Sequence, residues 1–335
     1  MLTKIKRAER ASSGLKLRIS CSFERLHTLR TLPAVESLSG PLDAVDIDEF
    51  RLRAFIPETP LLITTKSTTN GIDLVSLSDN SIPATNKWFH YDTVGPDGGK
   101  SGPRVAHEYL SPFDETILPY EYILHSQNPN LRQLKARPLQ DIFITSLVEK
   151  SPKNTFHRFN APLALFLEAC RPPKLPKLYI AQAQIVDLPK ELQDDLPTPR
   201  IVKEAGRGDI YDRNIWLGIP RTFTPLHKDP NPNLFVQLAG TKRVRLFKPS
   251  IGRGIFWEVQ QKIGQHSSSS LRGEEMMEGT EFAALNDAVW RRDMQYEGFE
   301  VSLSAGDALF IPKGFWHSIK SVGRDITASV NWWFR

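Results

Sequence analysis

The sequence predicts an α+β protein that is mainly β, built around a small β-barrel with a functional mouth. Three observations carry that reading. The run NLFVQLAGTKRVRLF at 233–247 reads as two strands meeting at Ala239, Gly240 and Thr241, the spacing of a β-hairpin. The run GDALFIPKGFWHSI at 306–319 reads as a tight turn at Gly306 and Asp307, then an apolar strand from Ala308 to Ile311. Pro312, Lys313 and Gly314 interrupt it before Trp316 and His317 lead into the next strand. In RTFTPLHKDPNPN, His227 and Asp229 stand two apart after a strand-like lead-in, so both side chains project from one face. An all-β region with inward polar residues at its ends encloses a pocket.

Ahead of that region, ESLSGPLDAVDIDEFRLRAF at 36–55 reads as a turn followed by a helix from Asp46 to Phe55. Pro57, Glu58 and Pro60 end it before LLITT, a short strand. Residues 67–104 are turn-rich and read as irregular. Arg137 to Lys150 and Ala161 to Cys170 have helical spacing, and PPKLPK at 172–177 marks a boundary before the barrel. About fifty residues between Pro249 and Glu300 join the two halves of the barrel. Within them His266 and Ser267 to Ser270 read as a loop, and Glu281 to Trp290 as a helix with Phe282, Leu285 and Val289 on one face. Insertions of this length in a compact domain are usually functional or disordered; by its position this one is expected to border the mouth and set substrate choice.

A second imidazole, His317, arrives about ninety positions after His227. Two imidazoles and one carboxylate leave metal positions open, the facial triad of non-haem Fe(II) oxygenases. On spacing alone a His-x-Asp pair is common by chance; the surrounding strand pattern is what lifts it. His90, His107, His125 and His157 are widely spaced, without a second-ligand pattern, and read as structural or surface residues.

TPLHKDPNPNLFVQLAGTKRVRLF, GDALFIPKGFWH and the closing SVNWWF together resemble the JmjC family of Fe(II)- and 2-oxoglutarate-dependent oxygenases, in its small hydroxylase-type branch. The resemblance also covers LYIAQAQIVDLPKELQDDL at 178–196 and NIWLG at 214–218. It implies a double-stranded β-helix (jelly-roll, cupin-like) catalytic core over 175–335, with an insert at about 250–300. A helical or irregular part over 36–174 would pack on the core, behind a basic extension over 1–35. It implies that His227, Asp229 and His317 ligate Fe(II), with 2-oxoglutarate and O₂ as cosubstrates. Lys242 matches the family's lysine for the distal carboxylate. Val244 shares its face of the strand and Arg243 and Arg245 should face away; taken alone, Lys242 would read as a solvated hairpin lysine. Thr224 matches a hydroxyl assisting that carboxylate, Asn233 and Asn331 match amides near the cosubstrate, and Tyr179 matches a phenol that contacts it. Read without the family, Asn233 ends a turn and Tyr179 is a core aromatic. Gln182, Trp216 and Trp333 match positions lining the mouth. The implied activity is hydroxylation of an amino-acid side chain in a protein. N-methyl-lysine demethylation, oxidation of a small metabolite or tRNA base, and a non-enzymatic cupin-like binding protein are the alternatives.

The 335 residues are 40% hydrophobic and 24% charged, ordinary for a folded protein with a sizeable core. Two cysteines, Cys21 and Cys170, favour a reducing compartment over a disulfide scaffold. The formal charge of +5 is concentrated at one end. Residues 1–35 hold eight Lys and Arg against Glu9 and Glu24, a local +6, which leaves −1 for the rest. The barrel is therefore near neutral and carries no electrostatic footprint for nucleic acid. The basic front reads as a mitochondrial transit peptide or a solvated helix, and cytoplasm or nucleus is the leading location. No stretch is apolar enough to suggest a membrane span. The chain stops at Arg335, directly after the closing strand, so a monomer is expected.

Overall fold

A computed structural model describes residues 31–65, 82–91, 102–123, 156–171, 178–219, 222–264, 279–323 and 325–335. Two sheets dominate them. The nine-stranded sheet runs in the order β1 (Glu36–Ser39), β2 (Leu61–Thr64), β13 (Ala308–Ile311), β10 (Asn233–Ala239), β15 (Thr327–Phe334), β8 (Ile210–Gly218), β7 (Leu178–Gln184), β5 (Ile117–Ile123) and β6 (Phe156–Pro162). The four-stranded sheet runs β12 (Phe299–Leu303), β11 (Thr241–Phe247), β14 (Trp316–Val322) and β9 (Phe223–Lys228). A two-stranded ribbon pairs β3 (Phe89–His90) with β4 (Arg104–Val105).

Side-chain alternation explains how these sheets stack. Phe235, Leu309 and Ile311 of the large sheet meet Val244, Leu246, Val301 and Leu303 of the small one, forming the apolar filling between them. The opposite face of the large sheet carries Leu234, Val236, Phe310, Val330 and Trp332, which pack on the front part of the chain through Phe50, Ala54 and Trp88. Strand β10 is buried at every position because both of its faces are covered. The outer face of the small sheet presents Leu226, Phe247 and Trp316 to the insert.

The expected hairpin at 233–247 is not formed. Strand β10 pairs with β13 and β15, whereas β11 pairs with β12 and β14, so the two lie in different sheets. Gly240, at φ +70°, is a one-residue corner through which the chain leaves one sheet and enters the other. Period-2 burial on either side of a tight link looks the same for a hairpin and for a corner, so the pattern could not separate them. The corner is also crowded, since a Cβ on Gly240 would lie 2.4 Å from the Ile326 carbonyl oxygen. Gly240→Ala is therefore expected to cost about 2–3 kcal/mol in denaturant unfolding, from left-handed strain plus the clash. An unchanged midpoint would show that the corner is not constrained.

The front part also departs from the helical expectation, because β1, β2, β5 and β6 join the large sheet. Helix α1 (Ile47–Phe50) continues through a π-turn to Phe55, with the Asp46 carboxylate accepting from Glu49 N–H at 2.8 Å as its N-cap. Strand β5 contains Pro119, which hid it in the sequence. That proline lies opposite Asn160 of β6, and pairing with β7 begins only at Tyr120. The expected extension over 1–35 is docked at its end: Val35 is buried, Leu32 packs against the insert's apolar cluster, and Glu300 N–H donates to the Pro33 carbonyl. Helix α2 (Leu163–Ala169) falls within the expected segment, starting where β6 ends. The reading of 137–150 as helix, of 172–177 as a boundary, of 267–270 as a loop and most of the irregular stretch lie outside the described residues. Among the described residues no helix is long and apolar enough to cross a membrane.

Candidate metal centre

Strands β9 and β14 are antiparallel neighbours, and their register places His227 directly opposite His317. Alternation alone would not bring Thr224 and His227 to one face, since they are three residues apart. A bulge resolves this: Thr224 pairs with Ile319, so three steps on β9 match two on β14. Pro225 and Leu226 absorb the extra residue, Leu226 turns outward into the insert's apolar cluster, and both Thr224 and His227 face the cavity. Asp229 follows just beyond the strand.

The three side chains are buried, and each offers a ligand atom within 4.8 Å of the others. His227 Nε2 lies 3.9 Å from one Asp229 carboxylate oxygen and His317 Nε2 lies 3.7 Å from the other. The imidazole centroids are 4.2 Å apart. A cation bonded at ~2.1 Å to each donor holds those donors within ~4.2 Å of one another, so these separations suit one ion. His227 Nδ1–H donates to the Pro225 carbonyl at 2.9 Å, and His317 Nδ1 faces the Phe315 carbonyl at 3.5 Å. Both contacts leave the Nε2 lone pair directed inward. Burial, and then the neighbouring His227, push His317 down to about 4, so it is neutral and able to ligate at physiological pH. Two imidazole nitrogens and one carboxylate oxygen form a donor set suited to Fe(II).

Asn233 Nδ2–H donates to Asp229 Oδ2 at 2.8 Å, so this amide orients the carboxylate. Asn233→Ala is expected to weaken Fe(II) binding by about 10–100-fold in anaerobic dialysis, as loss of an orienting partner usually does. Unaltered affinity would mean that the carboxylate needs no such support.

Deeper in the same cavity, Lys242 is 3% exposed. Its Nζ donates to Ser329 Oγ at 2.8 Å and lies 5.2 Å from the Phe235 ring centre. Among the described residues no carboxylate pairs with it, and burial pushes it down to about 7. As expected, Val244 shares its buried face while Arg243 and Arg245 turn outward. An unpaired buried lysine is costly unless an anion joins it. Two further donors in the same wall, Asn331 Nδ2 and Trp333 Nε1, find no hydrogen-bond partner among the described residues, whereas Asn331 Oδ1 accepts from Trp216 Nε1 at 2.8 Å. A cavity holding spare donors and an unpaired cation fits a small ligand rich in carboxylate oxygens. Tyr179, whose phenol burial keeps protonated, packs 6.0 Å from the Trp216 ring to close one side.

All but one of the residues singled out in the sequence line this cavity. Gln182 is the exception. It sits exposed, at φ +55°, in a bulge of β7 between Ile180 and Ala183, outside the lining. The bulge breaks the alternation from which its inward position followed. Thr222, Phe235 and Ile319 also line the cavity and were not singled out. Each lies two residues from one that was, so period-2 extension would have found them. The insert does not border the cavity through its described residues. Helices α3 (Pro249–Ile263) and α4 (Gly279–Trp290) cover the outer face of the small sheet, because their apolar stripes meet Leu226, Phe247 and Trp316 there.

Residues 124–335 match the family described as "Cupin-like domain". The chain is 29% identical over 171 residues to "Lysine-specific demethylase JMJ30" of Arabidopsis thaliana, a match covering 50% of this chain and 37% of that protein. It is 30% identical over 158 residues to "Lysine-specific demethylase 8" of Danio rerio, covering 47% and 36%. Against "JmjC domain-containing protein D" of Dictyostelium discoideum it is 26% identical over 159 residues, covering 44% and 33%. The matched stretch thus spans little more than a third of these relatives' lengths.

Proposed function

The chain belongs to the cupin-like domain family, and from that premise we propose that it is a JmjC-type Fe(II)- and 2-oxoglutarate-dependent oxygenase that hydroxylates a side chain of a protein. The observation that carries this reading is the pairing, in one cavity, of the buried His227–Asp229–His317 cluster with Lys242, a buried lysine that has no carboxylate partner among the described residues. With iron and 2-oxoglutarate bound, O₂ would be the oxidant for C–H hydroxylation, one of its oxygen atoms entering the alcohol and the other the succinate formed, with CO₂, from 2-oxoglutarate.

The chain's own residues supply binding, orientation and dryness. His227 and His317 would hold the metal through Nε2 and Asp229 through a carboxylate oxygen, kept in place by Asn233. Lys242 would take the distal carboxylate of 2-oxoglutarate, assisted by Thr224, with Asn331 and Tyr179 donating to its other oxygens. Trp216 and Trp333 would wall the reacting centre from water. Residues 175–335 form the catalytic part in this reading, with 36–174 buttressing its large sheet. The reading places the protein in the cytoplasm or nucleus as a monomer; fractionation of the intact chain against one lacking residues 1–35 tests mitochondrial targeting. Release of succinate from 2-oxoglutarate, dependent on added Fe(II) and abolished in Lys242→Met, is the expected result. Equal release without iron would overturn the proposal.

A second reading, N-methyl-lysine demethylation, is favoured by the names of the two plant and fish relatives. The two share a first step and differ in product. Peptide mass gains one oxygen in hydroxylation and loses a methylene unit in demethylation.

Lys242 also predicts a pH dependence. Its folded pKa, about 7, lies below the ordinary lysine value of 10.5, so between these values the unfolded chain holds a proton that the folded chain has released. Stability from this group therefore rises with pH across that window, by at most about 1.4 kcal/mol per unit. Denaturant titrations from pH 7 to 10 should show the rise in the wild type and lose it in Lys242→Met. A parallel slope in both would contradict the assignment.

A further inference from the structure

The outer face of the small sheet, opposite the one that lines the cavity, carries a second feature made of different side chains. Arg243 of β11 and Lys320 of β14 are direct partners in the antiparallel register. Two like charges facing each other across a ladder, with Cβ atoms about 5 Å apart, destabilise a sheet unless something neutralises them. Arg245 stands two residues along the same face. Among the described residues the one carboxylate that reaches this group is Glu300 of β12, 2.6 Å from Arg245 Nε and 3.6 Å from Arg243 Nε. Arg245 is already satisfied: it bonds Glu300, donates to the Val289 carbonyl and stacks 4.7 Å from the Trp290 ring centre. Lys320 is not. Its Nζ lies between two aromatic rings, 4.6 Å from that of Trp290 and 4.9 Å from that of Phe223, with no carboxylate partner among the described residues. Arg243 is half-exposed and its planar fork is free to take a second acceptor.

The surrounding parts are fixed. Trp290 Nε1–H donates to Ser318 Oγ at 2.8 Å, and that hydroxyl donates to the Thr224 carbonyl at 2.8 Å. Phe223 is held edge-on by Phe282 at 4.9 Å. Three cations against one carboxylate, one of them between apolar rings, form an anion site assembled before any anion arrives. We propose that Arg243 and Lys320 bind a single phosphate-type dianion on this face, with the guanidinium fork taking two oxygens and the Lys320 ammonium a third. Glu300 bounds the site on the β12 side, which restricts it to one phosphomonoester-sized group and disfavours a run of phosphodiesters. Independent support comes from Lys320 itself, which burial and then the two arginines push down to about 8, as expected of a cation lacking its counter-ion.

The test uses inorganic phosphate titrated calorimetrically into the full chain, with chloride at matched ionic strength as reference. Saturable binding is expected, weakened about tenfold or more in Arg243→Gln and in Lys320→Gln, as loss of a charge-assisted bond predicts. Lys242→Met, which removes the cation of the catalytic cavity, should leave it unchanged. Binding lost in Lys242→Met and kept in Arg243→Gln would overturn the proposal by assigning the phosphate to the cavity. Absence of saturable heat would overturn it outright. A readout free of variants is acetylation of the wild type: phosphate should slow modification of Lys320 relative to Lys228, and equal slowing of the two would contradict the site.

Discussion

Asp229→Ala is expected to abolish 2-oxoglutarate turnover and to lower Fe(II) affinity by more than about 100-fold, beyond the effect of losing an orienting residue. The carboxylate is the one anionic donor of the cluster, and its two oxygens face the two imidazole Nε2 atoms at 3.9 and 3.7 Å. Without it a divalent ion would meet two imidazole nitrogens and the amide of Asn233. Fold stability should survive, because among the described residues the buried Asp229 carboxylate accepts a hydrogen bond from Asn233 Nδ2 alone. Retained melting temperature with lost turnover is thus the expected pair of results, read by thermal unfolding and succinate release. Turnover within a few-fold of the wild type would remove the carboxylate from the chemistry.

Asp195→Ala should be the most destabilising change outside the cavity, at about 3–5 kcal/mol, or roughly 10 °C in melting temperature. Asp195 is 1% exposed and joins three donors from two distant stretches of the front part. Lys87 Nζ reaches it at 2.6 Å, Trp88 Nε1 at 2.8 Å and the Tyr109 hydroxyl at 2.6 Å. Removing the acceptor strands a buried indole N–H and a phenol at once, and each unmet donor costs about 1–3 kcal/mol. Asp195→Asn keeps an acceptor oxygen and should lose less than half as much. Equal effects of the two would mean that charge alone, not the hydrogen-bond set, holds these segments together.

The grouping of His227, Asp229 and His317 was legible because strand alternation is local: His227 and Asp229 share a face by spacing, and His317 needs one strand pairing to join them. The same rule separated Lys242 from Arg243 and Arg245. Where alternation is broken, the reading failed. The β7 bulge moved Gln182 out of the wall, and the Gly240 corner turned an expected hairpin into a crossing between sheets. Strand β5 was hidden by Pro119, harmless only because its N–H side is not needed there. The insert's position depended on where its apolar faces found Leu226, Phe247 and Trp316, a contact across the fold that no short window of sequence contains. The Asp195 knot was invisible for the same reason, since its donors lie about 86 to 108 residues away.

The central claim is that His227, Asp229 and His317 together hold one ferrous ion. Anaerobic equilibrium dialysis of the intact chain against Fe(II), with His317→Ala alongside, measures it directly. The account predicts one ion per wild-type chain and almost none in the variant. Equal iron content in both proteins, or none in either, would contradict it.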